Sequence, residues 1–250
     1  MTLRIGSALK RAGHQTASRA GVHLMVLYAI YALVYQTGAN GLLAYGIRAM
    51  GLPAEAAPPT FLDAPLVVHA GLTFAGLVLG LYFTLVSLRT LVARERHGIP
   101  QWAFTRRPGW GMANVLVAGI LFTIVLAIGF VLLVVPGIIA YIAFIFTVVF
   151  VADEDLDALT AFRRSWNLSR GNWLRIGFVL LIVFGIATAL AMVVSMATAF
   201  GAGALGIGPG VIGVGTLVLF SPVYIYVLAV LTEMYNQLRA EESTDDMVQL

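Results

Sequence analysis

The chain of 250 residues is 60% hydrophobic and only 11% charged, with a mean hydropathy of +0.93. A water-soluble domain of this size carries about 25% charged residues, so a purely aqueous globule is excluded and lipid must cover part of the surface. The net charge of +3 comes from basic residues that flank apolar runs instead of gathering on one soluble face, which excludes a nucleic-acid footprint and points to membrane orientation.

The chain length leaves room for roughly six spans of about 20 residues each. The expected fold class is all-α: a polytopic membrane protein of about six transmembrane helices in one domain. A basic segment, 1–21, precedes the six-helix part, 22–238, and an acidic tail, 239–250, follows it. The segment 1–21 carries Arg4, Lys10, Arg11 and Arg19, and Ile5, Leu9 and Ala12 share a helical stripe, as in a short interfacial helix. Together with the apolar run from Val22 it superficially resembles a signal peptide. Thr37-Gly38-Ala39-Asn40-Gly41 is a poor cleavage site, however, so an uncleaved first helix is expected.

The first span begins near Val22 and runs as far as Tyr45, loosened by Gly38, Asn40 and Gly41. A loop with Pro53, Glu55, Pro58, Pro59 and Asp63 leads to the second span, 65–91. A basic loop with Arg94, Arg96, Arg106 and Arg107 follows, where Pro100 and Pro108 prevent a continuous helix. The third span covers 111–134, Pro136-Gly137 makes the turn, and the fourth covers 138–151. After the polar stretch 153–170 come the fifth span, 173–198, a glycine-rich linker, 201–215, and the sixth span, 211–238. The tail with Glu241, Glu242, Asp245 and Asp246 is expected to be mobile.

With the N-terminus inside, fourteen of the fifteen Lys and Arg residues fall on the inner side and only Arg48 falls outside. One missed span would scramble so lopsided a division. Both termini are therefore expected in the cytoplasm, in a prokaryotic cell membrane.

The most informative stretch is 135–171. Asp153, Glu154 and Asp155 are expected to open a helix, where carboxylates suit the positive end of its dipole. Arg163, Arg164 and Arg170 lie toward its other end, and Gly171 stops it. Leu156, Leu159, Phe162 and Trp166 recur at spacings of three and four. The pattern predicts an amphipathic cytoplasmic helix between spans four and five. It lies on the membrane face with Trp166 at headgroup depth and the arginines within reach of anionic headgroups.

A Pro-Gly break in an apolar span, an acidic turn and then Ala161, Arg164, Ser165, Trp166, Leu168 and Gly171 form a recognisable motif. It resembles the pattern Ala-Leu-x-Arg-Ser-Trp-x-Leu-x-x-Gly of a family of prokaryotic membrane proteins. That family is related to the membrane domain of some glycerophosphoryl diester phosphodiesterases. Phe162 stands where the pattern has Leu. The resemblance covers about 110–180; it implies a six-helix membrane bundle and carries no catalytic residues. The helix also resembles the coupling helix of an ATP-driven permease, although residues 157–163 lack that motif's glycine. Arg163, Arg164, Trp166 and Arg170 thus serve either to anchor the bundle on lipid or to dock a protein partner.

Two ionisable residues at membrane depth are further candidates. His69 in span two is either bound to a backbone carbonyl or functional. Glu233, near the inner end of span six, can pair with Arg89, Arg163 or Arg164, or couple to protons. The glycines from Gly201 to Gly215 contain a formal Gly-x-Gly-x-x-Gly, but no strand precedes it, and close helix packing or a re-entrant loop explains it better. His14, His23 and His97 have no ligand spacing. No catalytic, metal or cofactor residue emerges, and a membrane-embedded enzyme is the weakest class. Two readings remain: a non-enzymatic scaffold or accessory subunit acting through its cytoplasmic face, and a small transporter or permease subunit coupled through the helix at 155–170. A transporter should gather polar side chains at mid-membrane, and the spans offer little beyond His69, Asn114, Thr123, Thr188 and Ser195.

Overall fold

The computed structural model describes residues 4–205 and 209–248, and every long element among them is helical. In chain order these are α1 (Ile5–Thr16), α2 (Arg19–Ala49), α3 (Leu66–Val92), the short α4 (Gln101–Thr105) and α5 (Pro108–Leu132). They continue as α6 (Val134–Phe144), α7 (Thr147–Glu154), α8 (Ala158–Ser169), α9 (Trp173–Leu205) and α10 (Pro209–Val248). Six stretches are long and apolar enough to cross a membrane: α2, α3, α5, α6 with α7, α9 and α10. Large apolar side chains such as Val67, Phe74, Val131, Leu181 and Phe200 stand exposed along them. A water-soluble fold would have to bury that surface, so the chain is a multi-pass membrane protein.

The chain divides into two compact units. The first comprises 1–23, 84–186 and 225–250, and the second 24–83 and 187–224. In the second unit α2 is unbroken where its glycines were expected to loosen it. A Cβ on Gly38 would strike the backbone of Thr73, and one on Gly41 would strike the His69 ring. The glycines are there so that α2 and α3 can touch backbone to side chain, as small residues allow in membrane helices. Tyr28 stacks on Tyr224 with ring centres 4.6 Å apart, and Tyr31 on Phe83 at 6.0 Å.

In the first unit three expectations shift. The turn between α5 and α6 is at Leu133, in extended conformation, and not at Pro136-Gly137. Pro136 lies in the first turn of α6, where a missing N–H leaves no bond unmade. Gly137 instead brings α6 against α5, since a Cβ there would press on the Phe130 ring. Asp153 and Glu154 end α7 instead of opening α8, and Asp155, in the left-handed region at φ 52°, closes it. Asp157 caps α8 by accepting the Thr160 N–H at 3.0 Å. Of the glycine-rich stretch, α9 continues to Leu205 and α10 begins at Pro209, while 206–208 lie outside the described residues. Finally, α10 stays helical to Val248, through the stretch expected as a tail.

Candidate functional site

The polar residues of the first unit gather where α3 and α7 end, against α1, α4, α8 and the stretch 233–239 of α10. Carboxylates at the C-terminal end of α7 oppose its dipole, and this is where the arginines converge. The Arg89 side chain is completely buried. Its Nη2 donates to Asp155 Oδ1 at 2.8 Å, Nε to the Ala152 carbonyl at 3.1 Å and Nη1 to the Ala103 carbonyl at 3.2 Å. Arg106 Nε donates to Asp155 Oδ2 at 2.7 Å, and its Nη2 reaches the Asp153 carbonyl. Two guanidinium groups thus satisfy the last carbonyls of α7 and share one carboxylate.

Glu233 of α10 holds a second centre. Buried among helices, it accepts Arg94 Nε and Nη2 in a bidentate pair and Arg11 Nη1, all at 3.0 Å. Arg94 itself is left-handed at φ 56°, a conformation with a cost for a long side chain, and the bidentate pair helps to hold it there. The expected partners Arg89, Arg163 and Arg164 are not the ones used: Arg89 is committed to Asp155, and Arg163 and Arg164 face outward on α8. A third centre joins Tyr235, whose hydroxyl donates to Asp153 Oδ2 at 2.9 Å, to Glu154 and Arg239. The orphan carbonyls at the end of α3 are met by Gln15 at 2.8 Å (Leu91) and Asn236 at 3.0 Å (Val92).

α8 attaches to this assembly by its small residues. Ala158, Ala161, Ser165, Leu168 and Ser169 are its buried face, and the hydroxyls of Ser165 and Ser169 donate to the Ala143 carbonyl at 2.8 and 3.1 Å. That carbonyl lies just before the break between α6 and α7. Asn114 of α5 accepts the Ala158 N–H at 3.0 Å. The larger apolar residues lie on the neighbouring strip: Leu159 and Trp166 are exposed, while Phe162 and Trp166 flank the Phe144 ring at 4.7 and 5.6 Å. Leu156 precedes the helix. Arg163, Arg164 and Arg170 are exposed and, among the described residues, enter no ion pair. The Asp157 carboxyl is held below the usual carboxylate range by its bonds to Thr160.

In the second unit His69 is buried, with Nδ1 3.3 Å from the Thr37 carbonyl, the backbone partner expected for it. Since a carbonyl only accepts, Nδ1 carries the proton.

Sequence reasoning missed Arg11, Arg94, Arg106, Tyr235 and Arg239 as network members. Arg89 carried a signal, because it stands inside the apolar run Leu85-Val86-Ser87-Leu88-Arg89-Thr90-Leu91, where a charge must find a partner. For Arg11 and Arg94 the pattern offers none, since both belong to basic segments that read as solvated.

The fold and this site define a multi-pass helical membrane protein with its charges pooled at the shared ends of a few helices. Within that class, the chain belongs to the family described as Domain of unknown function (DUF7847), whose model matches residues 3–238. No curated protein and no solved structure matches it.

Proposed function

We propose that this is a non-enzymatic integral protein of the cell membrane with both termini in the cytoplasm, a scaffold or accessory subunit that acts through its cytoplasmic face. The observation that carries the reading is the contrast among arginines. Arg11, Arg89, Arg94, Arg106 and Arg239 are spent on carboxylates, whereas Arg163 and Arg164 of α8 and Arg170 at its C-terminal cap are exposed with no carboxylate partner among the described residues. Beside them Leu159 and Trp166 offer apolar surface. A helix with these two strips lies along a bilayer surface, and each basic residue near anionic headgroups contributes about 1 kcal/mol. The same arginines are available to an acidic surface on a partner protein.

The transporter reading stands second, because three of the intramembrane polar residues expected to line a pathway are occupied locally. Asn114 bonds to Ala158, Thr123 to the Gly119 carbonyl of its own helix, and His69 to Thr37.

Pull-down from native membranes with and without Arg163→Ala/Arg164→Ala tests the proposal. Release of a co-purifying protein, with the bundle still folded, supports docking. Unchanged capture with weaker retention on anionic vesicles supports a lipid anchor alone. A reporter fusion near residue 165 that reports the outside would overturn the orientation and with it the reading.

A further inference from the structure

The hairpin of α5 and α6 has a tip unlike an aqueous loop. The seventeen residues from Ile124 to Ala140 contain no polar side chain, and the turn lies in their middle. Val131, Leu133, Val134, Val135 and Ile138 are exposed, Val131 to 86%. By contrast the connection between α2 and α3 carries exposed Glu55 and Asp63 and four prolines. Aromatic residues with a polar edge mark the levels where membrane helices meet water, and here the nearest is Tyr141, a full turn below the tip.

The backbone of the turn is also suited to a place without water. The Leu133 N–H donates to the Gly129 carbonyl at 3.1 Å, and the Leu133 carbonyl accepts the Gly137 N–H at 3.3 Å. Pro136 has no N–H to satisfy. Unpaired backbone groups are what exclude irregular chain from hydrocarbon, and both polar groups of Leu133, the one residue between the two helices, are paired. The close fit of Gly129 against Gly137, where a Cβ on Gly129 would come within 2.9 Å of the Gly137 Cα, makes so tight a reversal possible.

Each arm is long enough to cross the hydrocarbon but not the hydrocarbon and both headgroup layers. The charged end of this hairpin is fixed by Asp153 and Asp155 on one arm and by Asn114, bonded to Ala158, on the other. From Asn114 and from Asp153 the arms climb about 28 and 30 Å to the turn at Leu133 at 1.5 Å per residue, and the break after Phe144 shortens the second arm. Bilayer hydrocarbon is about 30 Å thick, and about 40–45 Å separates the two aqueous phases. With its charges among headgroups, the hairpin falls short of the far water by on the order of 10 Å.

We propose that the α5–α6 hairpin ends inside the bilayer, its tip at 129–138 covered by lipid acyl chains and never reaching the opposite aqueous phase. The two arms then enter and leave on one side. The proposal is independent of which side is cytoplasmic and of the scaffold reading above.

The chain has no cysteine, so single thiols report without background. Val134→Cys and Val135→Cys replace exposed side chains, and Thr60→Cys in the exposed α2–α3 connection is the aqueous control. Vesicles of both orientations are treated with a membrane-impermeant sulfonated maleimide. The tip thiols should react at least tenfold more slowly than Thr60→Cys from either side. In reconstituted protein, a bimane on the tip thiols should be quenched more by a nitroxide on the lipid acyl chain than by one on the headgroup. Labelling of the tip at the rate of the control overturns the proposal, because the turn then stands in water. Slow labelling without acyl-chain quenching overturns it too, since protein and not lipid would cover the tip.

Discussion

Asp155→Asn isolates the charge at the most buried ion pair. Asparagine has nearly the same shape, accepts a hydrogen bond from Arg89, and tolerates the left-handed conformation at φ 52° better than most residues. What is lost is the negative charge facing Arg89, whose side chain is 0% exposed, and Arg106 beside it. Stripping the partner from a fully buried charge costs about 3–5 kcal/mol. Arg89 keeps the carbonyls of Ala152 and Ala103, and Asp155 is itself 18% exposed, so about 2–4 kcal/mol is the expected loss. At roughly 2–4 °C per kcal/mol for a chain of this size, the melting temperature in mild detergent should fall by about 5–15 °C. A shift under 2 °C or so would refute the reasoning, because Arg89 would then have found water or another carboxylate.

Glu233→Gln should cost less, about 1 kcal/mol, because Arg11 and Arg94 are 54% and 48% exposed and hydrate when released; a larger drop than that of Asp155→Asn in the same assay would reverse the ranking. Gly41→Ala places a methyl group in the His69 ring, so overpacking should destabilise the α2–α3 contact by about 1–3 kcal/mol. A melting temperature equal to that of the parent chain would count against the contact. The Asp157 carboxyl is shifted down by its cap on Thr160, so its contribution is fully present above the unfolded value near 3.9 and is lost as pH falls through the lower folded value. Hydrogen exchange at the Thr160 amide should therefore stay protected at pH 5 and loosen only in strong acid, whereas Asp157→Ala should loosen it at every pH.

The six long apolar helices were legible in the sequence because lipid-facing spans announce themselves by composition and length alone. Boundaries were less so. Asp153 and Glu154 read as helix-opening residues by the dipole rule, yet they close α7: Tyr235 and Arg239 meet their carboxylates, and Arg89 and Arg106 reach the carbonyls of Ala152 and Asp153 from elsewhere in the chain. Local rules cannot see a partner 63 residues away. Gly38 and Gly41 read as loosening α2 for the same reason: whether a glycine weakens a helix or admits a neighbour depends on what stands opposite, and here that is Thr73 and His69.

In α8 the period was legible, whereas the face that binds the helix to its unit was not. Spacings of three and four drew attention to Leu159, Phe162 and Trp166, but the residues that bind α8 to its unit are Ala158, Ala161, Ser165 and Ser169. In water the bulkier strip would be the buried one, because burial of apolar area drives packing. Beside lipid that driving force between helices is absent, so small residues and hydroxyls that allow close approach and interhelical bonds take the contact. The two serine bonds to the Ala143 carbonyl also use an acceptor that the break after Phe144 leaves free. The Ser165-Trp166 pair therefore divides the work within one turn: the serine bonds α8 to α6, and the tryptophan packs beside Phe144 with part of its ring left exposed.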